Sequence, residues 1–453
     1  MSTQVDFSPL RGGRGILLMA AAIGPDLTAA GYSEAEYLAT GTASGYRTCS
    51  PMASDGRFDL EPDGGTAHFA TRVVVRRPAD AANFNGTLVV EWLNVSSGQD
   101  AGPDYSYMAT ELVRGGYAWV GVSAQWAGIE GGTPTIAVAE GRQSGLAEID
   151  PDRYGGLHHP GDAYCYDIYT KIARSITEAE PLAGLHVDRR LAIGESQSAI
   201  ALSTYINGVQ PLTELFDGFL VHSRGGAIAP LGDPGRGVDL RPALRGTPTQ
   251  IRDDIPVPVI VVQTETDLFG HLAYYPARQE DSNWFRLWEI AGTAHADRFQ
   301  IGQFEKFLQC RLPVNRGQQV FVLRAALRAL DTWVRVGQRP PSAPRLEVVR
   351  GTEFAVDANG NVLGGVRTPA VDAPVAVLSG APAPGASPIC ELFGTTTPLP
   401  GLDELYVDEA DYLAKYTAAA DAAIEAGFVL AEDRAELLAA AEPELLTRST
   451  DPV

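Results

Sequence analysis

Hydrophobic positions along the first three quarters of the chain fall into short runs of two kinds. Residues 68–77 (HFATRVVVRR), 86–94 (GTLVVEWLN) and 116–125 (GYAWVGVSAQ) are rich in β-branched and aromatic residues and predict strands. Residues 105–115 (YSYMATELVRG) and 163–177 (AYCYDIYTKIARSIT) place apolar side chains at helical spacing, and the first of these ends in a glycine pair. Further strands are expected at 190–193, 218–222 (GFLVH), 257–263 (VPVIVVQ) and 284–290 (WFRLWEI). Strand and helix in regular alternation predict an α/β fold: a mostly parallel central sheet with helices on both faces.

Two stretches break the rhythm. Residues 223–256 form a Gly/Pro-rich insert between two strands, and long irregular segments of this kind usually act as lids or binding loops. Beyond Val336 come a proline-rich crossing (GQRPPSAPRLEVV), Asn-Gly turn chemistry in DANGNVLGG, and an alanine-rich helical region at 408–441. The expected organisation is an N-terminal extension (1–45), a core (46–336) carrying the lid-like insert 223–256, and a C-terminal appendage (337–453) packed on the core, since no second alternating pattern occurs there. There is no internal repeat.

With 453 residues and 45% hydrophobic residues, the chain can bury a large core. The net charge of −21 repels phosphate backbones and anionic membrane surfaces, which argues against nucleic-acid binding. The apolar stretch Gly15–Ile23 (GILLMAAAI) follows Arg11 and Arg14, but it is far shorter than the ~20 residues needed to span a bilayer. Gly24-Pro25-Asp26 comes next instead of a small-residue cleavage site, so the protein is expected to start near Met1. Cys49, Cys165, Cys310 and Cys390 form no C-x-x-C pair and suggest no structural zinc. Unpaired thiols in a reducing cytoplasm are the expectation, with a Cys310–Cys390 bridge reserved for an exported protein.

Candidate chemistry starts at LAIGESQSAIA, residues 191–201, where an apolar strand ends and a helix begins. A serine on such a turn is lifted above the sheet, and small flanking residues let strand and helix approach. Gly194 stands two before Ser196, while Ser198 takes the place of the usual second glycine. A serine hydroxyl needs a base and a group that orients the base. Asp267 and Glu265 follow the strand 257–263, and His295 lies in the Gly-containing loop after the strand 284–290. The order Ser, acid, His is that of α/β-hydrolases. Asp267 holds the customary acid position, and Glu265 stays open as the acid or as a supporting residue. Of the other histidines, His222 ends a strand and suits a structural or a pocket-lining role equally. The backbone N–H of Gln197 is the expected first oxyanion donor, and the second is assigned to the backbone of Asn94 or Val95 in the loop NVSSG.

GESQSA, VVQTETDLFG, LWEIAGTAHAD, EWLNVSSGQD and GGVRTPAVDAPVA together resemble the bacterial and fungal alpha/beta hydrolase domain family, over roughly Gly45–Leu430. The resemblance implies an α/β-hydrolase fold and a triad of Ser196, His295 and Asp267 or Glu265, in esterase-like members. The expected activity is that of a serine hydrolase on a small-molecule carboxylic ester, without cofactor or metal. An amidase, lactonase or acyltransferase would use the same residues, and a non-catalytic binding protein on the same fold is the rival of another class. No membrane span is expected, and the oligomeric state is not encoded in any of these motifs.

Overall fold

The structure, a computed structural model, describes residues 4–135 and 141–448. Nine strands form the main sheet: β1 (Asp6–Pro9), β2 (Tyr32–Thr48), β3 (Leu60–Pro78), β4 (Thr87–Trp92), β5 (Ala118–Val122), β6 (Arg189–Glu195), β7 (Gly218–His222), β8 (Val259–Thr264) and β9 (Phe285–Ile290), in lateral order β1-β2-β3-β5-β4-β6-β7-β8-β9. From β5 to β9 every neighbouring pair is parallel. The pairs β1–β2, β2–β3 and β3–β5 are antiparallel. The parallel strands are nearly continuous apolar runs because helices cover both their faces.

Alternation along each strand divides the core. Leu191, Ile193, Ile260 and Val262 point to one side, where helices α1 (Pro103–Arg114) and α4 (Gln319–Val336) pack. Ala192, Phe219, Val259 and Val261 point to the other, against α2 (Cys165–Ser175) and α3 (Gln197–Thr204). Among the described residues, no helix is long and apolar enough to cross a membrane.

The N-terminal residues expected as an extension enter the sheet itself. Tyr37, Ala39 and Ala43 are buried at strand periodicity in β2, which pairs with β3 along nearly its whole length. At the other end, Val366 bridges to Ile290 beside β9, and the Glu289 carboxylate accepts the Leu346 amide at 2.8 Å. A hairpin of β10 (Ala376–Ser379) and β11 (Thr395–Pro398) follows, then α5 (Glu409–Glu425), capped by Asp408. The helical region expected over 408–441 is broken at Gly427, whose φ of 82° ends α5, before a short helix at Arg434–Ala439.

The cysteine expectation is corrected in part. Cys310 and Cys390 are joined by a disulfide, while Cys49 and Cys165 are free. Backbone bonds Asn315–Phe393 and Thr396–Pro313 lay the two cysteine-bearing segments side by side, so a sequence separation of 80 residues closes to 5.7 Å between Cα atoms.

Candidate active site

Ser196 is the single residue between the end of β6 and the start of α3, with φ 61° and ψ −117°. A side chain in this region of backbone space costs about 1–3 kcal/mol, so the surroundings must enforce it. Part of that enforcement is the Ser196 amide, which donates to the His222 carbonyl of β7 at 2.9 Å. Gly194 is required by contact: a Cβ there would stand 2.9 Å from the Ser198 Cβ and 2.9 Å from Leu202 Cδ1. The same closeness explains why residue 198 must stay small.

β9 leads into the loop 291–297, which presents His295. Its Nε2 lies 2.8 Å from Ser196 Oγ, and its Nδ1 lies 2.7 Å from Asp267 Oδ1. The other Asp267 oxygen accepts three bonds, from the Thr264 amide (2.7 Å), Thr264 Oγ1 (2.8 Å) and Ser223 Oγ (2.8 Å). Glu265 is turned away from His295. Its carboxylate accepts the amides of Gly292 (2.6 Å) and Gly380 (2.8 Å), tying the histidine loop to the C-terminal region. The two acids would face alike in an extended segment, but the chain becomes helical at Glu265–Leu268, where a two-residue step turns the side chain by about 200°. The histidine loop has a further anchor in Asp297, which accepts from Tyr107 of α1 (3.1 Å) and Gln319 of α4 (2.9 Å).

A family model described as the alpha/beta hydrolase domain matches residues 7–439. The chain belongs to the alpha/beta hydrolase domain family. No curated relative matches it. Among solved structures it is similar to a fungal esterase from Rhizomucor miehei, at 10% identity over 66% of this chain and 85% of that one, TM-score 0.33. It is also similar to an α/β serine hydrolase without a lid from Xanthomonas campestris, at 13% identity over 57% of this chain and 85% of that one, TM-score 0.30. An esterase from Pyrococcus furiosus aligns at 9% identity over 62% of this chain and 89% of that one, TM-score 0.29. Values this low carry nothing beyond the likeness itself.

Within this hydrolase the buried charges act on one another. Burial pushes the Asp267 carboxyl up, but His295, the Thr264 amide and the Ser223 hydroxyl outweigh it and hold the group below its ordinary range. Burial pushes His295 down, and the hydrogen bond and charge of Asp267, with the charge of Glu195, reverse this and raise it. Glu195 is buried beside the serine with Oε1 3.8 Å from His295 Nε2, and desolvation pushes its carboxyl up to about 7 against the pull of His295 and His222.

Ser196 and His295 open onto a cavity of about 540 Å³. Met19 and Ala20 line it, from the apolar stretch Gly15–Ile23, as do Ser96, Ser97 and Gln99 from the loop after β4. The insert 223–256 does not line the cavity, so the expectation of a lid there is corrected. Its apolar residues Ala229, Leu240 and Ile251 are buried in the core with α2 and α3, and Asp162 clamps it by accepting the Val238 amide at 2.7 Å. The oxyanion assignment changes too. The Asn94 amide donates to the Ala101 carbonyl at 2.8 Å, which removes it from the role. The Val95 amide donates to Gln197 Oε1 at 3.2 Å, so the side chain next to the serine holds this loop in place. The loop is fixed further by the buried pair Asp100–Arg72 at 2.7 Å.

His222 is fully buried and outside the cavity, its Nδ1 3.0 Å from Asp104 Oδ1. Asp104 lies in the first turn of α1 directly after Pro103, a position where an acid is a recognisable sequence signal. Among the described residues, no group of three or more His, Cys, Asp or Glu side chains is disposed to hold a metal ion.

Proposed function

We propose that this alpha/beta hydrolase cleaves a carboxylic ester of a small molecule through an acyl-enzyme. The observation that carries the reading is the unbroken chain Ser196 Oγ, His295, Asp267, at 2.8 and 2.7 Å, with the serine held at a strained turn facing a cavity. His295 Nε2 takes the hydroxyl proton as Ser196 Oγ attacks the ester carbonyl, then returns it to the leaving alcohol. A water deprotonated by the same nitrogen releases the acid. Asp267 fixes the tautomer with the proton on Nδ1 and stabilises the imidazolium. The Gln197 amide, at the start of α3 where a helix leaves its first N–H groups unpaired, is one donor to the oxyanion. The Val95 amide is the second when the substrate oxygen replaces Gln197 Oε1. The chemistry uses side chains and backbone amides alone.

The test is fluorophosphonate labelling together with a panel of aryl esters, anilides and lactones. Labelling of the wild type at Ser196, its loss in Ser196→Ala, and turnover of esters above anilides are expected. A labelled protein that prefers anilides or lactones would move the activity to amidase or lactonase. An unlabelled, folded wild type would refute the serine mechanism.

A further inference from the structure

The cavity beside Ser196 has unlike walls. Asn94, Ser96, Ser97 and Gln99 make a polar side. An apolar part of the lining is assembled from two segments remote in sequence, with Ile301, Phe304 and Leu308 from one and Ile389, Leu392 and Phe393 from the other. The first consists of single helical turns, Arg298–Ile301, Gly302–Phe304 and Glu305–Leu308, too short to hold their shape alone. Two things hold it. Ile301 and Leu308 pack against Ile389, Leu392 and Phe393 in one apolar cluster over Ala296, the neighbour of His295. The Cys310–Cys390 disulfide then joins the segments one residue beyond Ile389 and two beyond Leu308. Phe304, which lines the cavity, is 48% exposed, its ring 5.5 Å from that of Phe307.

Resting on the serine-hydrolase reading above, we propose that this cystine-joined wall is the subsite for a hydrocarbon chain of the substrate. The substrate class is then an ester with one flexible apolar arm of several carbons and a polar, hydrogen-bonding other half that meets Ser96, Ser97 and Gln99. The wall determines specificity through KM: the arm gains binding as it leaves water, while the reacting atoms keep the same partners. Full burial of a methylene group corresponds to about a fourfold gain in affinity.

The experiment measures kcat and KM of the full chain on p-nitrophenyl esters from acetate to octanoate and on alkyl acetates of matching length. In one of the two series kcat/KM should climb, by up to about fourfold per methylene and mostly through KM. Leu392→Ala, and separately the double variant Cys310→Ser/Cys390→Ser, should cut that slope by half or more. Phe304→Ser, at a half-exposed position, serves as the variant that keeps the fold, checked by thermal melting. Slopes that are flat or falling in both series, in a wild type that labels at Ser196, would overturn the subsite and leave the serine mechanism standing. Absence of labelling would fail the mechanism first. A slope unchanged in all three variants would also overturn the proposal.

Discussion

Replacing Asp267 by Asn exploits an asymmetry in how its two oxygens are used. One oxygen faces His295 Nδ1 at 2.7 Å, and the other receives three donors at 2.7–2.8 Å. An asparagine must place its oxygen on one side and its NH₂ on the other. Turning the NH₂ toward the Thr264 amide, Thr264 Oγ1 and Ser223 Oγ would set donors against donors and leave buried donors unsatisfied, at about 1–3 kcal/mol each. The oxygen therefore stays with the three donors and the NH₂ faces His295. Nδ1 must then accept, the ring proton moves to Nε2, and the nitrogen 2.8 Å from Ser196 Oγ can no longer take the hydroxyl proton. A wrong tautomer in intact geometry costs ~10⁴-fold in kcat, about 5 kcal/mol. The assay is steady-state hydrolysis of a p-nitrophenyl ester at pH 7–8, with Glu265→Gln measured in parallel. The Glu265 variant should keep activity within about tenfold, because its carboxylate bonds the Gly292 and Gly380 amides rather than His295. Retention of more than a tenth of wild-type kcat in Asp267→Asn, or a larger loss in Glu265→Gln, would refute the tautomer reasoning.

Ser196→Gly should be inactive yet more stable than Ser196→Ala by about 1 kcal/mol, since glycine alone accepts φ 61° freely; urea titration of the two variants checks it. Glu265, pushed up to about 7 by burial, titrates near its ordinary value of 4.5 when unfolded. Its stabilisation is therefore full below about pH 4.5 and is lost as pH rises through about 7, so wild type should lose roughly 3 kcal/mol relative to Glu265→Gln between pH 4.5 and 8, read from unfolding at each pH. Glu195 raises His295, and His295 must be neutral to accept the serine proton, so Glu195→Gln should move the acid limb of kcat/KM to lower pH. An unmoved limb would show that the carboxylate 3.8 Å away does not act on the base.

Much of this was legible because the parallel strands bury both faces and so write themselves as unbroken apolar runs between helical segments. Ser196, His295 and the two acids were legible for a related reason: each stands just past the carboxyl end of a strand, where a parallel sheet gathers its loops. What is not legible lies where local pattern says little. β2 alternates tyrosine and alanine with exposed polar residues, a weak signal next to the runs of valine and isoleucine in β4 and β8. The insert 223–256 carries so much glycine and proline that its core-facing residues, among them Ala229, Leu240 and Ile251, are hidden among turn signals. The separate duties of Glu265 and Asp267 depend on one event, the turn into helix at residue 265, which neither side chain announces.

Long-range closure explains why the C-terminal third cannot be detached from the chemistry. Glu265 is bonded on one side to Gly292, three residues before His295, and on the other to Gly380, at the end of β10. A Cβ at Gly380 would stand 2.5 Å from the Glu265 Cβ and 2.5 Å from the Thr266 amide nitrogen, so the hairpin is seated directly on the turn that bears Asp267. Gly394, at φ 52°, leads into β11 with its Cβ direction 2.8 Å from Ala294, the residue before His295. The hairpin thus touches both the acid turn and the histidine loop. Displacing it would free the Gly292 amide's partner and expose the buried Glu265 carboxylate, so the distance between Asp267 and His295 depends on residues more than eighty positions further along the chain. The appendage is therefore part of what sets the hydrogen bond at 2.7 Å, and removing residues 337–453 should cost activity through misplacement of His295 even where the nine-stranded sheet survives.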